Sequence, residues 1–192
     1  FESMVMQMLH CEQTRGQSVY QHGQSVREYF DRLCHDIQQN ALEDWKLPKW
    51  FPLYATDLFN HIHEKQVTDL YTLFHDCGKP ACRIEDETGV HFPNHAAVSQ
   101  AVWLSVGGCP VVGKLIANDM VLHIASSEEI SQKLEFDWSI EDACSLLVVG
   151  FAEIHSNASL FGGVESVSFK TKLTRLDRRG KQICKYYFGD RR

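Results

Sequence analysis

The sequence predicts an all-α protein in which helices form a bundle around an apolar core. Apolar residues recur at intervals of three or four along most of the chain, and Gly or Pro residues separate these segments. The chain has 192 residues, of which 44% are hydrophobic. This composition is enough for the core of one domain, with or without an appendage.

Two helices are predicted near the start of the chain. Residues 1–10 carry apolar side chains at helical spacing and form a short first helix. Residues 18–39 form a longer helix, and His22 lies on its apolar face. The other side chains on this face are Val19, Val26, Phe30, Leu33 and Ile37.

Connectors and helices alternate in the middle of the chain. Residues 45–52 are predicted to be a connector, because Pro48 and Pro52 interrupt helices. A helix follows over residues 56–74. Residues 84–92 are polar and are predicted to form a turn and a loop.

Three more helices are predicted beyond this loop. The first covers residues 94–106, with Asn94 as its N-cap, and ends at a Gly-Gly pair. The second covers residues 111–126. The third covers residues 139–160 and is capped by Ser139. Residues 165–188 fit either a strand or a helix, and the sequence leaves this choice open.

Charge divides the chain into an acidic body, residues 1–163, and a basic C-terminal segment, residues 164–192. The segment has nine basic and three acidic residues, a net charge of +6. The body therefore carries −12, because the whole chain carries −6. We predict that the body is one domain and that the segment belongs to it or is an appendage. The basic residues are Lys170, Lys172, Arg175, Arg178, Arg179, Lys181, Lys185, Arg191 and Arg192.

This asymmetry predicts a polyanionic partner. The aromatic residues Tyr186, Tyr187 and Phe188 are interleaved with the basic residues, a pattern that suits RNA contact. The alternative is a tail that is merely solvated. No signal peptide is recognisable, and no apolar run approaches the ~20 residues of a membrane helix. We therefore expect no membrane partner, a cytoplasmic location and seven reduced cysteines.

The most informative motif is the pair His75 and Asp76, which ends an apolar helical run just before Gly78, Lys79 and Pro80. Imidazole is a ligand for transition metals, and carboxylate also suits hard cations. The pair therefore predicts a divalent metal site that takes Mn, Fe, Co, Ni or Zn and allows Mg. The alternative is a structural pair in which Asp76 caps a turn.

In this motif the chain resembles the HD superfamily of metal-dependent phosphohydrolases. That family carries an early His, a central His-Asp pair and a late Asp on the helices of one bundle. The matching positions here are His22, His75 with Asp76, and Asp119. The resemblance, which covers roughly residues 18–160, implies an HD-type helical bundle with one or two divalent ions between helices.

The sequence that continues to His95 resembles the HD modules of bacterial tRNA-nucleotidyltransferases in particular. Those modules share a His-Asp-x-Gly-Lys-Pro run, a downstream Arg and a Phe-x-Gly-His run. This chain has Asn94 where that pattern has Gly, and Ala96 where it often has Glu. The resemblance implies that His95 is a second metal ligand or a phosphate contact.

The residues themselves give further reasons for these roles. Asp119 is an acid between Ile116 and Met120 on an apolar helix, and a buried charge needs a partner or a metal. His123 lies one turn later on the same face. It would complete a second metal site or hold a substrate phosphate.

Lys79 and Arg83 follow the motif and are predicted at the rim of the metal site. A cation there stabilises charge on phosphoryl oxygens, and the planar guanidinium of Arg83 matches phosphate. We therefore predict that both are catalytic and substrate-binding, together with His75 and Asp76 as catalytic residues. The alternative is that both are ordinary solvated cations.

The predicted function is hydrolysis of phosphomonoesters or phosphodiesters in nucleotides or at RNA ends that carry 2′,3′-cyclic or 2′-phosphate groups. One alternative is a phosphatase or phosphodiesterase for small nucleotides. Another is a non-catalytic HD module with a regulatory or binding role. No glycine-rich phosphate loop or dinucleotide-binding motif is present, which argues against a kinase or a Rossmann enzyme.

Overall fold

The computed structural model describes residues 1–14 and 16–191, and Arg15 and Arg192 lie outside the described residues. The predicted all-α class is confirmed, since helices dominate and the only sheets described in this part of the chain are two short hairpins. None of the helices in residues 1–14 and 16–191 has the length and apolar character needed to cross a membrane.

The elements follow one another in the order α1 (Glu2–His10), β1 (Glu12–Thr14), β2 (Gln17–Ser18), α2 (Val19–Gln39), α3 (Phe51–Asn60), α4 (Lys65–Phe74), α5 (Lys79–Cys82), β3 (Ile84–Asp86), β4 (Gly89–His91), α6 (His95–Ser105), α7 (Pro110–Asn118), α8 (Val121–Ile124), α9 (Ser127–Phe136), α10 (Ile140–Ser156), a 3₁₀ helix (Ala158–Phe161) and α11 (Val167–Phe188).

The chain divides into two compact units. Unit 1 contains Phe1–Arg27 and Lys65–Asp119, and unit 2 contains Glu28–Glu64 and Met120–Arg192. Helix α2 begins in unit 1 and ends in unit 2. The sequence-based division into one domain, residues 1–163, and a basic C-terminal segment, residues 164–192, stays a prediction.

Unit 1 is built around the packing of α4, α6 and α7, with α5 against α6 and α1 against α5. The rings of Phe74 and Trp103 stack with centroids 5.4 Å apart, and both side chains are buried. Two antiparallel hairpins lie in this unit, β1 with β2 and β3 with β4. In β3 and β4, Glu85 is paired with Val90 in the register.

Unit 2 is built around α10, whose residues are almost all buried, with α3 and α11 packed against it. The rings of Phe51 and Phe151 meet edge to face at 5.2 Å. Gly180 lets α11 approach closely, because a Cβ there would lie 2.8 Å from side-chain atoms of Trp50 and Leu147. The sequence left open whether residues 165–188 form a strand or a helix, and the structure has the helix α11 there.

Several predicted boundaries differ from the structure. Pro52 does not interrupt a helix but lies in the first turn of α3. Backbone N–H groups in the first turn have no partner within the helix, so the N–H that proline lacks is not needed there. The predicted helix over residues 111–126 is divided after α7, where the Asp119 amide donates to the Ile116 carbonyl and tightens the last turn. Helix α9 was not predicted, although Ser126 and Glu129 form a capping box at its start.

The predicted caps have mixed outcomes. Ser139 caps α10 as expected, and its hydroxyl accepts a hydrogen bond from the Asp142 amide. Asn94 occupies the N-cap position of α6, but its side chain makes no capping bond and its φ of 53° is left-handed. Gly107, with a φ of 80°, ends the α6 region as predicted.

Candidate metal centre

His22 and His75 meet in unit 1 with their Nε2 atoms 3.2 Å apart, and they are 1% and 2% exposed. His22 lies in the first turn of α2, and His75 directly follows α4. The two backbones are close because the next residue, Gly23, has no side chain. A Cβ on Gly23 would lie 2.2 Å from the Leu73 carbonyl oxygen.

The protonation of His75 follows from its hydrogen bonds. Its Nδ1 lies 2.9 Å from the Thr72 carbonyl oxygen, which can only accept, so Nδ1 carries the hydrogen. In the neutral ring, Nε2 is then a lone pair. This lone pair is directed at His22 Nε2 and at Asp76 Oδ2, which is 3.2 Å away.

Asp76 is the centre of this cluster. Its Oδ2 lies 3.6 Å from His22 Nε2 and 2.6 Å from Lys79 Nζ, and the residue is 3% exposed. Burial alone would raise the pKa of Asp76, but the positive charge of Lys79 and, after it, the neighbouring His75 hold this pKa well below its usual range. Asp76 is therefore a carboxylate at neutral pH.

His95 opens α6 and completes the cluster. Its Nδ1 donates to the Phe92 carbonyl oxygen at 3.0 Å, so its Nε2 is a lone pair in the neutral ring. This Nε2 lies 3.7 Å from Asp76 Oδ1. Gly78 brings α5 against α6, where its amide donates to the Ser99 hydroxyl at 2.9 Å.

Two atoms of the cluster lack hydrogen-bond partners. Within residues 1–14 and 16–191, neither His22 Nδ1 nor Asp76 Oδ1 makes a hydrogen bond, although both are buried. Burial, and next the neighbouring His75, lower the pKa of His22 to about 3, so the His22 ring is neutral at pH 7. Neutral imidazole and ionised carboxylate are the forms that bind metals.

The donor set fits a divalent metal. Two imidazole lone pairs, on His75 and His95, are directed at the Asp76 carboxylate, and His22 Nε2 lies beside them. A lone pair facing a carboxylate oxygen is repulsive unless a proton or a cation lies between the two. Mixed nitrogen and oxygen donors suit Mn, Fe, Co, Ni and Zn.

Asp119 is hydrogen-bonded to a tyrosine whose ring contacts that of His75. The Tyr71 hydroxyl donates to Asp119 Oδ1 at 2.6 Å, and the ring centroid of Tyr71 lies 6.5 Å from that of His75. Asp119 is 8% exposed and ends α7. The structure shows that Asp119 accepts a hydrogen bond from Tyr71. The role of Asp119 as a metal ligand stays a prediction.

Two further predicted site residues have other contacts in the structure. Arg83 pairs with Glu85 at 2.8 Å on the surface and lines a groove with Cys11 and Pro80. His123 belongs to unit 2, where its side chain is buried and its carbonyl oxygen accepts from Arg175. Their predicted roles at the metal site stay predictions.

An open pocket of about 660 Å³ in unit 1 adjoins the cluster. Lys79 and His95, which both contact Asp76, are on its wall. The other lining residues are Ile84, Asp86, Thr88, Val90, His91, Phe92 and Pro93. The hairpin of β3 and β4 thus forms one side of a pocket that a substrate could enter.

Sequence reasoning missed three supporting residues. Tyr71 holds Asp119, Gly23 allows the close approach of α2 to α4, and Gln13 accepts from Lys79 Nζ at 2.8 Å. Tyr71 lies one helical turn before His75, a spacing that could have indicated its role. No sequence signal connects Gln13 to Lys79.

Comparison with protein-family models, with curated proteins and with solved structures finds no match for this chain.

Proposed function

We propose that the chain is a metal-dependent phosphohydrolase of the HD type. The observation that carries the proposal is the convergence of His22, His75 and His95 on the buried carboxylate of Asp76. Carbonyl acceptors fix the tautomers of His75 and His95 so that both rings offer Nε2 lone pairs. This is how ring orientation is set in metal sites of proteins.

His22, His75, Asp76 and His95 would hold the ion. A divalent metal bound by these residues supplies Lewis acidity, which lowers the pKa of water and withdraws charge from a phosphoryl oxygen. Asp76 stays ionised for this purpose because the positively charged Lys79 Nζ lies 2.6 Å from its Oδ2.

The pocket beside the cluster supports a phosphate ester as the substrate. Lys79 lines this pocket, and an ammonium there would stabilise the charge that develops on the phosphoryl oxygens. Phe92 lies in the same wall, with its ring centroid 5.3 Å from Lys79 Nζ. A nucleotide or an RNA end offers both a phosphate for Lys79 and a base for the aromatic ring.

The proposal is tested by hydrolysis assays on metal-stripped protein. Mn, Ni, Co, Fe, Mg and Zn are added back singly, with bis-p-nitrophenyl phosphate and p-nitrophenyl phosphate as diester and monoester probes. We expect metal-dependent turnover that is lost in His75→Ala and Asp76→Ala. The exposed residues His35 and Asp44 provide the matched controls His35→Ala and Asp44→Ala, which should keep full activity.

Metal content measured by elemental analysis separates two kinds of failure. Absence of metal in the wild-type protein after reconstitution would refute the metal centre itself. Stoichiometric metal that is lost in His75→Ala, with no turnover of either probe or of a 2′,3′-cyclic nucleotide, would refute the hydrolase and favour a binding module.

A further inference from the structure

Three arginines crowd one face of α11 in unit 2. Arg175, Arg178 and Arg179 are related by three and four residues, so their side chains are neighbours on the helix surface. They line a groove of about 350 Å³ together with Ser127, Thr174 and Gln182. We call this feature the arginine groove.

Neutral groups, not acids, hold two of these arginines in place. Arg175 donates to the His123 carbonyl oxygen at 3.2 Å, and Arg179 Nε donates to the Ala125 carbonyl oxygen at 2.8 Å. A second nitrogen of Arg179 donates to the same oxygen. A carbonyl satisfies a donor but leaves the positive charge in place.

The charge in the groove is therefore not neutralised. In the described part of the chain, none of the three arginines forms an ion pair with a carboxylate. Burial and repulsion from Arg175 and Arg178 lower the pKa of Arg179. Like charges at this spacing destabilise a helix, so an anionic ligand would relieve a cost that the fold otherwise carries.

Three other cations of the basic C-terminal segment are paired with acids. Lys170 lies 2.8 Å from Glu165, Lys185 lies 3.1 Å from Asp190, and the Arg191 guanidinium lies 2.5 Å from Asp57. The arginine groove is where three cations of this segment cluster, and Arg175 and Arg178 are its exposed arginines.

An aromatic ring continues the same face toward the end of α11. Tyr186 is 55% exposed and follows Gln182 by one helical turn. Its two aromatic neighbours serve in packing instead. The Tyr187 hydroxyl donates to the Trp138 carbonyl oxygen at 3.0 Å, and the Phe188 ring lies 6.4 Å from that of Tyr54.

We propose that the arginine groove and Tyr186 bind single-stranded nucleic acid. Guanidinium groups match phosphate in charge and in shape, and an exposed ring provides a surface on which a base stacks. Arg175 and Tyr186 are about 16 Å apart along the helix axis, which is too far for one phosphate group and suits a polymer. This inference goes beyond hydrolysis and does not require a metal.

The test is fluorescence polarisation of a labelled single-stranded RNA of about 12 nucleotides, with EDTA present so that no hydrolysis occurs. We expect binding that weakens as salt rises. Arg178→Gln should weaken binding roughly three- to tenfold and reduce the slope of log affinity against log salt by about 0.7. Arg178→Lys keeps the charge and should bind between the two.

Lys49→Gln is the matched control, because it removes one positive charge from another exposed position of unit 2. It should leave affinity and salt slope unchanged.

A second pair of variants tests stacking. Tyr186→Ala should weaken binding roughly fivefold or more, whereas Tyr186→Phe should bind like the wild type. A duplex of the same sequence should bind more weakly, because its bases are not open to Tyr186.

Circular dichroism and thermal melting confirm that each variant is folded. Equal weakening by Arg178→Gln and Lys49→Gln would overturn the proposal, because it would show attraction to the overall charge and not to the groove. Binding of inorganic phosphate or of phosphatidylserine vesicles without binding of the RNA would overturn it too. Loss of catalysis in His75→Ala with RNA binding intact would separate this site from the proposed hydrolase.

Discussion

His22 and His75 lie 53 positions apart in the sequence, yet their Nε2 atoms are 3.2 Å apart in a buried site. The Thr72 carbonyl holds His75 in one tautomer, so the contact is directional. The Asp76 carboxylate lies beside His75, and the positive charge of Lys79 compensates the negative charge of this carboxylate.

Lys79→Gln should strongly destabilise the metal-free protein. The Lys79 ammonium is 2.6 Å from the buried Asp76 carboxylate, and breaking a buried ion pair costs about 3–5 kcal/mol. Urea unfolding in EDTA measures this cost. Lys185→Gln removes an exposed pair with Asp190 and should cost less than about 1 kcal/mol. Equal costs for both variants would show that Lys79 does not balance Asp76.

Tyr71→Phe should destabilise the protein by about 1.5–3 kcal/mol. The change removes the hydroxyl that donates to Asp119 at 2.6 Å in a buried position, a hydrogen bond to a charged group. Chemical denaturation at pH 7 measures the free energy of unfolding. Tyr186→Phe removes an exposed hydroxyl and serves as the control, with an expected change below about 0.5 kcal/mol. A Tyr71→Phe variant as stable as wild type would contradict the role of this bond.

Gly23→Ala should displace α2 from α4, because a Cβ there would lie 2.2 Å from the Leu73 carbonyl oxygen. Overpacking of this kind costs about 1–3 kcal/mol, and metal affinity measured by calorimetry should fall as His22 moves away from His75. Gly113→Ala is the control. Its Cβ would lie 3.1 Å from the Leu104 side chain, which is 44% exposed and able to shift. Unchanged metal affinity in Gly23→Ala would argue against His22 as a ligand.

His155 should make the free energy of unfolding fall as the pH decreases below 6.5, the ordinary pKa of a histidine side chain. Its Nδ1 donates to the Phe151 carbonyl, its Nε2 accepts from the Lys46 amide at 3.1 Å, and burial lowers its pKa. The unfolded chain therefore binds a proton that the folded chain does not, and low pH favours unfolding. The free energy of unfolding between pH 7 and pH 5 should depend less on pH in His155→Gln. The exposed variant His35→Gln should keep the wild-type dependence.

Ser139→Ala should cost about 1 kcal/mol. The Ser139 hydroxyl accepts from the Asp142 amide at 3.1 Å, and the Asp142 carboxylate accepts from the Ser139 amide at 3.0 Å. Thermal unfolding detects the loss. Ser168→Ala changes an exposed serine in α11 and should shift the midpoint much less. A midpoint unchanged in both variants would mean that the cap contributes nothing to stability.

Local patterns were enough to predict the all-α class, the helix α2 and the cap at Ser139, because each depends on residues within a few positions of one another. The roles of His75 and Asp76 at a metal site stay predictions. By contrast, α9 was missed because its apolar face is short, with Ile130 and Leu134 as its buried residues.

The sequence by itself determined the all-α class, the helix α2 and the cap of α10, and it showed which residue types are available for the proposed metal site. Only the tertiary structure decided that His22 meets His75, that His95 points its Nε2 at Asp76, and that Tyr71 holds Asp119. These contacts depend on how closely backbones approach, as at Gly23, and such distances are set by packing between segments that are far apart in the chain.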